Sequence, residues 1–169
     1  MLSRRELEQI YREHGGALFA YLLNLSRSVT VSEDLAHELL LKLSQRSSLA
    51  WKFVRRPRSY LLRAAYALFV DYCRREQART LMLNNFARDV PLFASDADTD
   101  HPLAAQTVAW LGELPPEQRA VVHLKIWEQL TFREIAAQLG IPADTAASRY
   151  RYALDKLRAR QRQHDNAHD

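Results

Sequence analysis

Apolar residues recur along most of the chain at intervals of three and four, the spacing of helices that bury one face. Leu7, Ile10, Tyr11, Leu18, Tyr21, Leu22 and Leu25 form one such stripe, and Ser3-Arg-Arg-Glu6 ahead of it has the spacing of a capping box. Gly15 and Gly16 interrupt this helix. Each costs about 1 kcal/mol relative to Ala, so tertiary packing has to hold it. A second helix is predicted from Thr30 or Ser32, with Glu33 and Asp34 at its positive end and Leu35, Ala36, Leu39, Leu40 and Leu43 on its core face. Residues 44–56 read as a connector. Pro57 suits the first turn of a third helix, whose core face is Leu61, Ala64, Ala65, Leu68 and Tyr72 and which is predicted to end near Arg79.

A polar, acidic, aperiodic stretch follows at residues 89–101, DVPLFASDADTDH, and reads as a linker. Beyond it, helical patterns return at about 103–112, 116–128, 131–139 and 144–160. Strand alternation and internal repeats do not appear. The predicted fold is therefore all-α. It comprises two small helical domains, residues 1–88 and 102–162, joined by the acidic linker 89–101 and followed by a polar tail at 163–169.

The second domain carries the layout of a helix-turn-helix. Thr131-Phe-Arg-Glu134 is another capping box, followed by Ile135, Ala136 and Leu139. Gly140 then stands where a helix end favours a left-handed residue, Ile141 and Pro142 make the turn, and Asp144 can cap the next helix. Helix hairpins without a DNA role share this spacing. On a helical wheel, Ala146, Tyr150, Ala153, Leu154 and Leu157 fall on the core side, while Asp144, Thr145, Ser148, Arg151 and Tyr152 point away and Arg149 lies on the flank. A recognition helix sets its N-terminal residues against base edges in the major groove. Arg151 can pair two acceptors on guanine, and Thr145 and Ser148 suit less discriminating contacts. Ala147 leaves room for close approach, and Arg133 on the preceding helix is a further candidate contact. Tyr152 reads equally as a base contact or as a partly exposed packing aromatic.

Charge adds a pattern that the net value hides. The chain has 24 Lys and Arg against 20 Asp and Glu, a balance of +4. Lys42–Arg79 holds ten basic residues against two acids, and Arg149–Arg162 holds six against one, whereas Asp89–Glu117 has six acids and neither Lys nor Arg. Two basic blocks suit two contacts with a polyanion, the plain alternative being solvated helix faces. On the third helix Arg63, Ala67, Val70 and Arg74 oppose the core face, with Tyr60 and Tyr66 alongside and Lys52, Arg55, Arg56 and Arg58 just upstream. Cations interleaved with aromatics serve single-stranded DNA, charges following phosphates and rings stacking on bases. Against that, residues 64–70 are apolar throughout, so burial of Tyr66 and Phe69 is the competing reading. The second helix presents Asp34, His37, Glu38, Leu41 and Gln45, an outward Leu inside a polar ring that suits docking on a partner helix, or a solvated face with one stray Leu.

Other functions are poorly served. The lone Cys73 excludes a disulfide framework and a multi-Cys zinc site, the six His form neither an HExxH motif nor a cluster, and there is no Gly-rich phosphate loop. Neither enzymatic activity nor a cofactor is expected. The longest apolar run has seven residues, where spanning a bilayer takes roughly 20. MLSRRELEQ also lacks the apolar core of a signal peptide, so a cytoplasmic protein with no membrane insertion is expected.

Leu114-Pro-Pro-Glu-Gln-Arg-Ala-Val-Val, Leu130-Thr-Phe-Arg-Glu-Ile-Ala-Ala-Gln-Leu-Gly-Ile-Pro, Ser148-Arg149 and Leu154-Asp-Lys-Leu-Arg158 together resemble the −35-binding domain of bacterial sigma-70 factors, most of all the short extracytoplasmic-function type. Ser32-Glu-Asp-Leu-Ala-His-Glu-Leu-Leu-Leu-Lys-Leu43 resembles that family's polymerase-binding helix. Ser59-Tyr-Leu-Leu-Arg-Ala-Ala65 with Asp71-Tyr-Cys-Arg-Arg75 resembles its −10-reading helix. The resemblance implies a protein that binds core RNA polymerase and directs it to promoter DNA. Members of the family are commonly held by an anti-sigma factor. Under this resemblance Asp34, His37, Glu38, Leu41 and Gln45 would face polymerase, and Lys52, Arg55, Arg56, Arg58, Tyr60, Arg63, Tyr66 and Arg74 would face the −10 element. Arg133, Thr145, Ser148, Arg149, Arg151 and Tyr152 would face the −35 element. Four positions depart from the family pattern: His37 stands where Gln is usual, Tyr60 for a common Trp, Ala67 for Asn, and Ala147 for Lys or Arg. Ala67 and Ala147 each remove a polar contact, so the promoter sequence does not carry over from relatives. The alternative is a helix-turn-helix regulator that binds duplex DNA without polymerase.

Overall fold

The computed structural model describes residues 1–83 and 109–166, the side chains of Leu83 and Asp165 excepted. The chain divides into two compact units, Met1–Asp96 and Ala97–Asp169. The acidic stretch 89–101 lies outside the described residues, as does the start of the helix expected at 103–112.

In the first unit α1 (Arg4–Ser26), α2 (Val29–Ser44) and α4 (Pro57–Leu83) pack pairwise, and the short α3 (Ser48–Lys52) lies between α2 and α4 in sequence. The core comes from one face of each long helix. Ile10, Leu18, Tyr21, Leu22 and Leu25 meet Leu35, Ala36, Leu39 and Leu43, closed by Leu61, Leu62, Ala65, Leu68 and Phe69. Tyr11, expected in this core, is instead 60% exposed. Its ring lies against Gly15, where an added Cβ would sit 3.0 Å from the ring. The glycine that weakens the helix therefore also makes the seat for that ring.

The turn into α2 explains why this helix starts at Val29 and not at Thr30 or Ser32. Arg27 takes a left-handed conformation, φ 58°, and donates its amide to the Leu23 carbonyl, ending α1. Ser28 then caps α2, its hydroxyl accepting from the Val31 amide. Ser32 is used differently. Its buried hydroxyl lies 2.9 Å from that of Ser26 and donates to the Ser28 carbonyl. Residues 44–56 are more than a connector, since they contain α3, and α4 runs four residues past its predicted end.

In the second unit residues 109–112 are helical, followed by α5 (Pro116–Ile126), α6 (Phe132–Leu139) and α7 (Ala143–Asn166). Each of α5, α6 and α7 packs on the other two. Leu111, Leu114, Val122 and Ala153 form a buried cluster covered by Tyr150 and Leu157. Two boundaries differ from expectation. α7 begins at Ala143, so Asp144 sits in the first turn near the positive helix end and is not the cap. The same helix continues into the predicted polar tail as far as Asn166. Arg160 holds this extension through two bonds to the Glu113 carboxylate, 2.7 and 2.6 Å, and His164 meets the Trp110 ring edge-on at 5.9 Å.

Candidate nucleic-acid and polymerase interface

The helix-turn-helix geometry follows from local chemistry. Thr131 Oγ1 accepts from the Glu134 amide at 3.2 Å, and the Glu134 carboxylate accepts from the Thr131 amide at 2.9 Å. Gly140, at φ 67°, closes α6 in the left-handed region, and the Ile141 amide reaches the Ala136 carbonyl at 3.1 Å. The first turn of α7 follows directly, with the Ala146 amide donating to the Pro142 carbonyl. Ala146 and Ala153 are wholly buried, which lets α7 approach its neighbours closely, and Tyr150 packs against Phe132 with ring centroids 5.6 Å apart.

The opposite side of α7 carries the expected polar set. Asp144, Arg151 and Tyr152 are exposed, and Thr145, Ala147, Ser148 and Arg149 are half-exposed. The Arg151 guanidinium lies 5.5 Å from the centre of the Tyr152 ring. This cation–π contact holds both outward. Ser148 donates its hydroxyl proton to the Thr145 carbonyl at 3.1 Å, which leaves its lone pairs to accept from a ligand. Arg133 is exposed on α6.

On α2, Asp34, His37, Leu41 and Gln45 are exposed, and Leu41 shows 62% of its surface within that polar ring. Glu38 is half-buried at the edge of the stripe, 2.9 Å from Lys42 and 3.6 Å from Arg75 of α4. The hydrogen bond from Lys42, helped by the nearby Arg75 charge, holds its carboxyl below the usual range. Glu38 thus bridges two helices of its own unit.

The basic set of the first unit falls in two groups. Lys52, Arg55, Arg56 and Arg58 are exposed around the α3–α4 junction. Arg63 and Arg74 are exposed on α4, and at 1.5 Å per residue they span about 16 Å of helix. Arg74 lies 3.7 Å from Asp71. Tyr66 is half-buried and Phe69 fully so, as the competing reading held for Phe69. Tyr60 is not an open stacking platform: Trp51 meets it edge-on at 5.8 Å, and the Arg46 guanidinium sits 5.3 Å from its centre. Sequence reasoning missed α3 itself, with Leu49 65% and Phe53 77% exposed beside Lys52 and Arg55. The signal was there, two apolar residues four apart in a basic stretch. Reading that stretch as a connector hid it.

Among the described residues no three His, Cys, Asp or Glu side chains gather as metal ligands, and no helix is long and apolar enough to cross a membrane. Comparison with known proteins matches residues 10–79 to sigma-70 region 2 and residues 110–159 to sigma-70 region 4. The chain is similar to the ECF RNA polymerase sigma factor SigL of Mycobacterium tuberculosis, 27% identical over 153 residues, covering 90% of this chain and 86% of that one. It is also similar to the RNA polymerase sigma-E factor of Streptomyces coelicolor, 43% identical over 63 residues, 37% of this chain and 36% of that one. Among solved structures, the sigma factor RpoE of Bartonella quintana, crystallised with the anti-sigma factor NepR, shares the fold with a TM-score of 0.69 and 20% identity, covering 92% of this chain and 94% of its own. With sigma-70 regions 2 and 4 both present, in order, and an ECF sigma factor matched along nine-tenths of its length, the chain belongs to the sigma-70 family as a sigma factor of the ECF type.

Proposed function

We propose a division of labour among the exposed faces of this sigma factor. As a member of its family it is not an enzyme; it binds core RNA polymerase and directs promoter recognition. In our reading residues 1–88 form the polymerase and −10 domain and residues 102–162 the −35 domain. Asp34, His37, Leu41 and Gln45 dock on polymerase, with Glu38 stiffening the edge of that patch through Lys42 and Arg75. Lys52, Arg55, Arg56, Arg58, Arg63 and Arg74 follow the backbone of the opening strand, and Tyr66 lies beside them on α4. Tyr60 acts from behind, bracing Trp51. On α7, Arg151 reads a guanine of the −35 element, while Thr145, Ser148, Arg149 and Tyr152, with Arg133 from α6, complete the contact. In this reading the protein works in the cytoplasm, where polymerase and promoter DNA meet. The Bartonella relative was crystallised in complex with an anti-sigma factor, which supports a partner of that class for this chain.

The observation that carries the docking assignment is Leu41. It is a large apolar side chain, 62% exposed, on the helix whose other side is fully committed to the core. Leu41→Asp is expected to weaken binding to core polymerase at least about thirtyfold, the scale of one hot-spot contact, without loss of helix content. A pull-down titration giving wild-type affinity would remove Leu41 and its stripe from the interface.

A further inference from the structure

α3 is held in place by very little. It has five residues, Ser47 ahead of it makes no side-chain capping bond, and none of its residues is buried. A helix that short does not stand by itself in water. On one side, Trp51 rests its edge on Tyr60 of α4. On the other, the Ser48 hydroxyl donates to Oε1 of Glu6, at the start of α1. The second oxygen of the same carboxylate serves the capping box, accepting from the Ser3 amide and hydroxyl at 2.7 Å each. Lys52, one turn beyond Ser48, adds its charge to the same group. The carboxyl is drawn down to about 2, the Ser48 hydrogen bond being the largest cause and the Ser3 amide the next.

We infer that Glu6 is a positioning residue for promoter opening: its carboxylate ties α3 to the head of α1 and fixes the direction in which Leu49, Lys52 and Phe53 meet DNA. The inference rests on the reading that the α3–α4 junction faces the opening strand. Ser48 faces the anchor and is half-buried, while Leu49, Lys52 and Phe53 are exposed to solvent. A five-residue helix tethered only through Trp51 would swing, and every orientation lost on binding would weaken the contact. Anchoring removes that loss before DNA arrives.

Two serines separate this role from ordinary helix capping. Ser48→Ala cuts the anchor and leaves the capping box, Ser3→Ala does the reverse, and Ser48→Thr keeps the hydroxyl. Holoenzyme built from the full chain and core polymerase is assayed for closed binding by titration and for opening by permanganate reactivity of unpaired thymines. Ser48→Ala is expected to slow opening about five-fold, the weight of one side-chain hydrogen bond, with closed binding unchanged. Ser48→Thr should restore the rate, and Ser3→Ala should open at the wild-type rate. Wild-type opening by Ser48→Ala, while Phe53→Ala slows it, would overturn the anchor and leave the DNA-facing reading standing. Equal losses in Ser3→Ala and Ser48→Ala, in step with melting temperature, would reduce Glu6 to a cap. Wild-type opening by both Phe53→Ala and Lys52→Ala would overturn the reading of the junction itself.

Discussion

The two units turn their charge outward in different ways. In the second, α7 separates its faces cleanly, with Ala146 and Ala153 wholly buried and Arg151 and Tyr152, close by in sequence, exposed. In the first, the middle of α4 is apolar almost all round. Leu61, Leu62, Ala65, Leu68 and Phe69 are buried, and only Arg63 and Ala67 between them are exposed. A helix with segregated faces can carry an interface alone. One that spends most of its circumference on the core needs help, and in the function proposed above α3 and the exposed basic residues that follow it supply the missing surface. The price is a junction that needs its own support from α1 and from Tyr60.

The strongest way to break this comparison is to destabilise one unit and watch the other. Leu22 is fully buried among the long helices of the first unit, and Leu22→Ala is expected to cost about 2–5 kcal/mol there. Denaturant unfolding should show the loss, while binding of a −35 duplex by the full chain stays unchanged. A parallel fall in duplex binding would mean that the units do not act separately.

A smaller and sharper test lies within α7. Arg151→Ala should remove about 1–3 kcal/mol of discrimination at one −35 position, the weight of a bidentate base contact. Arg158, two turns on and 3.6 Å from Asp155, should reach only phosphate. Arg158→Ala is expected to weaken all sequences alike and to reduce the salt slope by about 1. Binding-site selection at two salt concentrations reads both, and an unchanged profile for Arg151→Ala would pass base reading to Ser148 or Tyr152.

Below that comes the turn between α6 and α7. A Cβ at Gly140 would meet nothing within 4 Å, so Gly140→Ala tests the backbone alone at φ 67°. The expected loss is about 1 kcal/mol in thermal unfolding of the second unit, from left-handed strain. The smallest effect belongs to the first unit and depends on pH. The carboxyl of Glu6 falls from 4.5 to about 2 on folding, so it adds stability above pH 4.5 that is lost as pH drops towards 2. Glu6→Gln should flatten the acid limb of the stability curve in that window and nowhere else. A variant that keeps the wild-type slope there would show that another carboxyl governs it.

The fold was legible where its signals are local. Both capping boxes, the left-handed glycine and the periodic stripes are chemistry between neighbours in sequence, and the helices they announce within the described residues are present. What escaped depends on contacts between distant residues. Tyr11 looked like core because periodicity cannot see that Gly15 offers its ring a seat on the helix surface. The end of α7 looked like a tail because Arg160 finds Glu113 across 47 positions. Tyr60 looked free because Trp51 and Arg46 come to it from a segment read as a connector, where one pair of apolar residues four apart was the whole periodic signal. For the candidate site, the α7 face could be read from a wheel, whereas at the α3 junction a five-residue helix offers less than two turns for one.

The two alanines at the heart of α7 have a bearing on how this protein can change over generations. Because Ala146 and Ala153 are buried on one side of α7 while Arg151 and Tyr152 are exposed on the other, exchanges at Arg151 and Tyr152 meet solvent and should shift stability by no more than about 0.5 kcal/mol. If these residues read the promoter as proposed, preference is uncoupled from foldability. A lineage duplicating this gene could retune one copy to a new set of promoters by surface substitutions alone, each intermediate remaining a folded and competent factor.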